Sequence, residues 1–300
     1  MKIGFLTACL RGVRLEEIIA WAGANGFQTL ELTATPIAEG RPPENVLDVA
    51  NLDGEGAARL KELCAQAGIE ISCLTYCDNN LAADPERRAQ IHGHLRRVMD
   101  AANLLGVREV STFVGRNHLT TIQENIEEAV PVFRELLGYA ADRGVRLGIE
   151  NWPGINVQFE GLIGNIFMSP AIWEPLFEAL PVDNFGLNFD PSHLYWMGID
   201  YVQAVKDFSE RIFHVHTKDT EVLEEVVATA GMFLPRHRWW RYRIPGMGAV
   251  DWPAFISALA EYGYDGPLSI EHEDPVWSGS EQRVKEGLLL ARKYLSTYVV

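Results

Sequence analysis

The sequence predicts one closed (β/α)8 barrel of the TIM type, because eight short apolar runs alternate with polar loops and amphipathic segments along 300 residues. Strict alternation of this kind requires a parallel sheet with right-handed crossovers, and eight repeats in this length match a barrel that closes. No GxGxxG loop follows the first run, where LTACLRGV stands instead, so an open doubly wound sheet fits less well. No low-complexity or Pro/Ser-rich linker interrupts the pattern, and a single domain over 1–300 is expected.

In chain order the strand-like runs are KIGFLT (2–7), TLELTA (29–34), IEISCLTY (69–76), EVSTFV (109–114), RLGIEN (146–151), FGLNFD (185–190), IFHVHTK (212–218) and PLSIEH (267–272). Helical patterns fill the intervals. LEEIIAWAGANG (15–26) ends in Gly, as do the segments 85–106 and 121–144, whose apolar residues recur at three- and four-residue spacing. Pro131 lies inside the third of these and predicts a kink or a break there.

With 47% hydrophobic residues the chain can bury a large core. It contains no run of about 18 apolar residues, so no membrane span is expected. The start MKIGFLTACL lacks a long apolar region and a cleavage site, and reads as the beginning of the first strand. Cys9, Cys64, Cys73 and Cys77 form no CxxC pair and read as reduced thiols, which favours a cytoplasmic location. A net charge of −15 opposes nucleic-acid binding. One basic cluster, RHRWWRYR (236–243), is short enough to suit a single anionic or polyhydroxylated small ligand.

Barrel chemistry sits where strands run into loops at the C-terminal mouth. Glu150, Asp190 and Glu271 are each the first charged group after an apolar run, and the seventh run carries His214 and His216. Crowding three carboxylates in one mouth is unfavourable unless a cation relieves the repulsion. Alternation puts His214, His216 and Lys218 on one face, with His216 a layer nearer the mouth and His214 beneath it. Glu150, Asp190, His216 and Glu271 are therefore the expected ligands of one divalent metal ion. Such a donor set favours Mn²⁺ or Mg²⁺ over Co²⁺ or Zn²⁺.

The segments GIEN (148–151), NFDPSHL (188–194), HVHTKD (214–219), IPGMGAVDW (244–252) and YDGPLSIEHED (264–274) resemble the xylose isomerase-like barrels. Within them the chain is most similar to the sugar phosphate isomerase/epimerase branch, which includes ketose 3-epimerases and inosose dehydratases. The resemblance runs along essentially the whole chain. It implies the same four ligands, a substrate contact for His193, and service of Glu150 and Glu271 as both ligand and acid/base.

The expected reaction is proton abstraction at a carbon next to a carbonyl. A metal acting as Lewis acid would stabilise the enediolate, while Glu150 and Glu271 remove and return the proton. Return to the same carbon epimerises, and return to its neighbour isomerises. Lys218 either stabilises the developing charge or pairs with Asp219, and Asn151 is placed to orient Glu150. Trp152, Trp196, Trp239 and Trp240 suit the C–H faces of a sugar, though each ring alone reads equally as core. His237, Arg238, Arg241 and Arg243 either grip a phosphate or carboxylate or form a solvated face or subunit contact. The segments 152–168 and 221–243 read as lids or partner surfaces, and Gly246 and Gly248 as a tight turn close to the ligand.

Three other readings remain. A lyase or dehydratase acting on a keto-sugar or inosose shares the enediolate and differs in expelling a hydroxyl. A non-catalytic sugar-binding or partner-binding barrel would be favoured by a protein with no bound ion and no activity after Mn²⁺ is added. An endonuclease on the same barrel needs further His and Glu ligands, whereas the second to fourth runs offer Glu31, Tyr76 and Val114, with His118 in a loop beyond. The expected partner is a small sugar or sugar derivative, with neither nucleic acid nor membrane, in a monomer or homo-oligomer.

Overall fold

The computed structural model describes residues 1–38, 40, 44–154, 164–232 and 239–299. All eight expected strands form: β1 (Lys2–Leu6), β2 (Thr29–Thr33), β3 (Glu70–Thr75), β4 (Glu109–Thr112), β5 (Arg146–Glu150), β6 (Phe185–Phe189), β7 (Ile212–His216) and a last barrel strand, β10 (Pro267–Ile270). They pair in parallel in the order β1-β10-β7-β6-β5-β4-β3-β2 and close into a barrel. The barrel meets itself where Lys2 to Phe5 of β1 pair with Pro267 to Ile270 of β10.

The helices form where capping chemistry permits. Helix α1 covers Leu15–Ala24, α2 Gly54–Ala67, α3 Pro85–Leu105 and α4 Ile122–Ala141. Asp84 accepts from the Glu86 and Arg87 amides ahead of Pro85, and Gly106 closes α3 at φ 75°, a left-handed conformation that costs Gly little. Thr121 and Glu124 make a reciprocal capping box on α4. Pro131 does not break α4 as its position suggested. Pro131 and Glu127, whose carbonyl loses its partner, are both exposed, while Phe133, Leu136, Leu137 and Ala140 keep the helix packed. After β5 come α5 (Pro170–Ala179), α6 (Pro191–Trp196) and α7 (Tyr201–Phe208).

Strand alternation divides two environments. Leu30, Leu32, Leu147, Ile149, Leu187, Phe189, Val215, Leu268 and Ile270 belong to the apolar core shared with the helices. Their alternates Glu31, Gly148, Glu150, Asn188, His214, His216 and Ser269 occupy the other strand face, and the polar ones among them are buried. The barrel interior is therefore a hydrogen-bonded layer, and packing against helices carries the hydrophobic stabilisation.

One element was missed in the sequence. Asp219–Val222 (β8) and Trp240–Arg243 (β9) form an antiparallel pair, with α8 (Glu224–Ala230) between them. Within the segment 221–243, β9 buries Trp240 against Trp196 and Trp239. Helices α9 (Trp252–Glu261) and α10 (Glu281–Leu295) are the last two α-helices among the described residues. No helix among the described residues is long and apolar enough to cross a membrane.

Candidate metal centre

Glu150 ends β5, Asp190 follows β6 as the N-cap of α6, His216 ends β7, and Glu271 follows β10. The structure brings these four together, each offering a donor atom within 4.8 Å of the others. His216 Nδ1 lies 2.9 Å from Glu271 Oε2 and 3.6 Å from Glu150 Oε1. Asp190 is fixed by Asn151, which donates from Nδ2 to the Asp190 carbonyl at 2.9 Å and accepts the Asp190 amide at 2.8 Å. Asn151 thus orients Asp190, and the expectation that it orients Glu150 is corrected.

Burial opposes ionisation of every carboxylate here. For Glu150, burial and the neighbouring Glu271 push upward, yet His193 and His216 hold it down to about 2. Burial likewise works against Asp190, while His193 and Lys218 keep it at about 2. Glu271 is also held at about 2, against burial, by Lys218 and His216. His216 pays for its burial with a loss of basicity, but Glu31 and Glu271 reverse this and raise it well above the ordinary imidazole value.

These residues fit a divalent cation. Among the described residues, the buried His216 Nδ1 and Asp190 Oδ2 have no hydrogen-bond partner and meet only charged neighbours. Once that nitrogen gives up its hydrogen, it and the anionic oxygen would be satisfied by a cation shared with Glu150 and Glu271. A second grouping, Glu31 with His214 and His216, also has donors within 4.8 Å. Its members are already joined by direct hydrogen bonds to one another or to Asn188 and Ser72, so it reads as support beneath the centre.

Other expected site residues divide. His193 Nε2 lies 3.2 Å from Asp190 Oδ2 and 3.5 Å from Glu150 Oε1. Lys218 Nζ is 2.8 Å from Glu271 Oε2 and 3.3 Å from both Asp190 Oδ2 and Glu273 Oε2. It does not pair with Asp219. That carboxylate accepts the Gly246, Gly248, Val250 and Thr220 amides and the Trp252 indole. A Cβ on Gly248 would meet Asp219 Oδ1 at 2.3 Å, so this turn is tight around Asp219.

A cavity of about 420 Å³ opens over the centre, lined by Glu150, Lys218 and Glu271 together with Trp152, Trp196, Trp240 and Tyr242. Trp196 stacks on Trp240 at 4.2 Å and 15°, while Trp239 packs behind them. Arg243 does not line this cavity; it donates to Asp274 and Glu221, which corrects its expected role as an anion clamp. Arg241 is likewise paired with Glu221, while His237 and Arg238 lie outside the described residues, as does most of the segment 152–168.

The sequence reading missed the roles of two residues. Tyr242 lies with its ring face 4.6 Å from Lys218 Nζ. Glu31, fully buried, hydrogen-bonds His216 Nε2. A charged residue in the middle of the run TLELT was the available signal for Glu31; nothing in the local pattern marked Tyr242.

The model of the xylose isomerase-like TIM barrel matches residues 19–294. The chain belongs to that family. A Bacillus subtilis protein, YfiH, whose function is uncharacterised, is 28% identical over 298 residues, covering 91% of this chain and 93% of its own. An inosose dehydratase of Clostridium botulinum is 29% identical over 176 residues, 58% of this chain and 55% of that protein. Among solved structures, the IOLI protein with a bound zinc atom superposes with a TM-score of 0.72 at 20% identity, covering 100% of this chain and 97% of that one. A D-psicose 3-epimerase solved in the presence of D-fructose gives 0.72 at 15% identity, covering 100% and 99%. At such identities the structural likeness speaks to the fold, which agrees with the family assignment.

Proposed function

We propose that this xylose isomerase-like barrel is a metal-dependent sugar isomerase or epimerase that moves a proton at the carbon beside a carbonyl. The carrying observation is that Glu150 and Glu271 both border the cavity and approach His216 Nδ1, from strands separated by β6 and β7. Two ionised carboxylates that approach one small space from different sides can act on opposite faces of a substrate held between them. A divalent ion held by Glu150, Asp190, His216 and Glu271 would supply Lewis-acid charge for a carbonyl oxygen as it becomes negative.

Glu150, ionised, takes the proton from carbon, and Glu271 returns one from the other face only after it has itself taken up a proton from solvent, or the two exchange roles with the direction of reaction. Lys218, buried between Asp190 and Glu271, adds fixed positive charge beside the developing oxyanion. His193, buried with Nε2 facing Asp190 and Glu150 and Nδ1 bonded to Tyr242, would act on substrate through those neighbours. Trp152, Trp196 and Trp240 offer flat apolar faces to the sugar's C–H surface. Mn²⁺ or Mg²⁺ suits the oxygen-rich donor set best, and the zinc in the related IOLI structure makes Zn²⁺ the next to test.

A second reading, dehydration of a keto-sugar or inosose, takes support from the inosose dehydratase relative. NMR of ketoses and inososes with Mn²⁺-loaded protein in deuterated water separates the two. Deuterium entering at the carbon beside the carbonyl without loss of water supports epimerisation or isomerisation, while loss of water supports the lyase. Glu150→Gln should stop exchange while leaving metal partly bound. Exchange in that variant within a few-fold of the parent removes Glu150 from the reaction.

A further inference from the structure

We propose that Glu31 is the positioning residue that makes His216 a metal ligand, by fixing the imidazole hydrogen on Nε2 so that Nδ1 is the nitrogen left to bind the ion. The inference rests on the metal reading of the site. Glu31 comes from β2, across the barrel from His216, and is fully buried. Its Oε1 and Oε2 lie 3.0 and 2.9 Å from His216 Nε2. Ser269 donates to Oε2 at 2.6 Å, and the Thr75 hydroxyl donates to Oε1. Four strands are thus tied through one carboxylate: β2, β3, β7 and β10.

An ionised carboxylate only accepts hydrogen bonds, so the nitrogen facing it must carry hydrogen. The Asn188 amide nitrogen also lies 3.0 Å from Nε2. It cannot claim that position as donor, because a bare Nε2 lone pair would then face both oxygens of a buried anion. Asn188 instead donates to Ser111 Oγ at 2.9 Å. With hydrogen held on Nε2, Nδ1 is the nitrogen that gives up its hydrogen when a cation binds, and Nδ1 is the atom that faces Glu150 and Glu271.

His214 provides the internal contrast. Its Nδ1 lies 3.0 Å from the Asn188 carbonyl oxygen and its Nε2 lies 3.2 Å from Ser72 Oγ. The acceptor at Nδ1 puts the hydrogen there, the opposite tautomer, and Nε2 accepts from the Ser72 hydroxyl. Two histidines on one strand face are therefore held through different nitrogens, each set by the partner the barrel supplies. Only His216 turns its other nitrogen toward the carboxylates of the candidate centre. Carboxylates that hold the far nitrogen of a metal-bound imidazole orient the ring and raise its basicity as a ligand.

The test is titration of the metal-free full-length protein with Mn²⁺ alone, by calorimetry, for the parent, Glu31→Gln and Ser269→Ala. Circular dichroism and the unfolding midpoint are recorded for each. Glu31→Gln should lower Mn²⁺ affinity about 10- to 100-fold with the spectrum unchanged. Ser269→Ala, which removes one donor from Glu31, should lower it about 2- to 10-fold and serves as the deciding variant if Glu31→Gln does not fold. In the Zn²⁺-loaded parent, nitrogen-15 NMR should place the His216 hydrogen on Nε2. A folded variant whose midpoint shifts while its Mn²⁺ affinity stays at the parental value makes Glu31 merely structural and overturns the proposal. A parent that binds no Mn²⁺ overturns the metal reading itself.

Discussion

Tyr242 Oη and His193 Nδ1 share a hydrogen bond of 3.1 Å, with the two rings edge-to-face at 86°. The bond ties the β8–β9 hairpin to the first turn after β6, and it does so beside the carboxylates that His193 Nε2 faces. Burial raises the Tyr242 phenol above its ordinary range, so it keeps its hydrogen. A hydroxyl can donate to a neutral imidazole or accept from an imidazolium, so Tyr242 holds His193 in either state.

Tyr242→Phe should therefore leave Mn²⁺ affinity unchanged and lower turnover of whichever sugar proves active. The loss of one buried hydrogen bond is worth about 1 kcal/mol, or roughly a fivefold fall in kcat/KM. Steady-state kinetics beside a metal titration check this. A parallel loss of metal binding would mean that the ring supports the centre itself, and an unchanged rate would release His193 from any role that depends on its orientation.

Lys218 is buried among Glu271, Asp190 and Glu273, and it neutralises two of the carboxylates that a metal would also neutralise. Lys218→Met removes that charge and strands its partners, a type of change that costs about 3–5 kcal/mol. The metal-free variant should unfold at a lower temperature than the parent. Added Mn²⁺ should then raise its midpoint by more than it raises the parent's, because the ion takes over a task the ammonium had shared. Equal metal-induced shifts in both proteins would show that lysine and ion do not act on the same carboxylates.

The strands were legible because outward residues such as Leu147, Ile149, Leu187 and Phe189 make short apolar runs, and Glu150 and Asp190 stood out where those runs stop. Periodicity also separated His216 from His214. Glu31 was harder, since its partner His216 lies 185 residues away and only closure of the barrel brings them together. The β8–β9 hairpin was obscured for another reason. Its strands are four residues each, their pairing crosses an intervening helix, and WRYR carries as much charge as apolar surface. Arg243 misled because charge in sequence does not reveal that Asp274 and Glu221 already satisfy it.

Asp219 gathers five donors, from Thr220, Gly246, Gly248, Val250 and the Trp252 indole, onto two oxygens. Asp219→Asn replaces one oxygen with an NH₂ group that must face N–H donors. Each choice of amide orientation leaves at least two of them opposed, so the variant should lose about 3 kcal/mol of stability. Denaturant unfolding of metal-free protein measures it. A loss under about 0.5 kcal/mol would mean that the turn from Ile244 to Val250 does not depend on this carboxylate.

His94 tests the burial argument away from the site. It sits on α3, bonds the Ala34 carbonyl through Nε2 at 2.7 Å, and meets Tyr76 edge-on at 4.6 Å. Burial lowers its basicity below the ordinary value of 6.5, an effect only partly offset by the bond to Ala34. The unfolded chain, with its histidine near 6.5, therefore binds more protons than the folded one in the interval below that value. Stability contributed here is fully present above about pH 6.5 and is lost as pH falls toward the lowered folded-state value. The urea midpoint of the parent should drop between about pH 7 and pH 5, and His94→Gln, which keeps an amide donor but cannot titrate, should drop less. His92 and His272 are lowered by burial as well and remain in both proteins, so the difference between the two slopes isolates His94. Identical slopes would mean that His94 takes up its proton as easily in the fold as in the open chain, and that the Ala34 bond does not depend on a neutral ring.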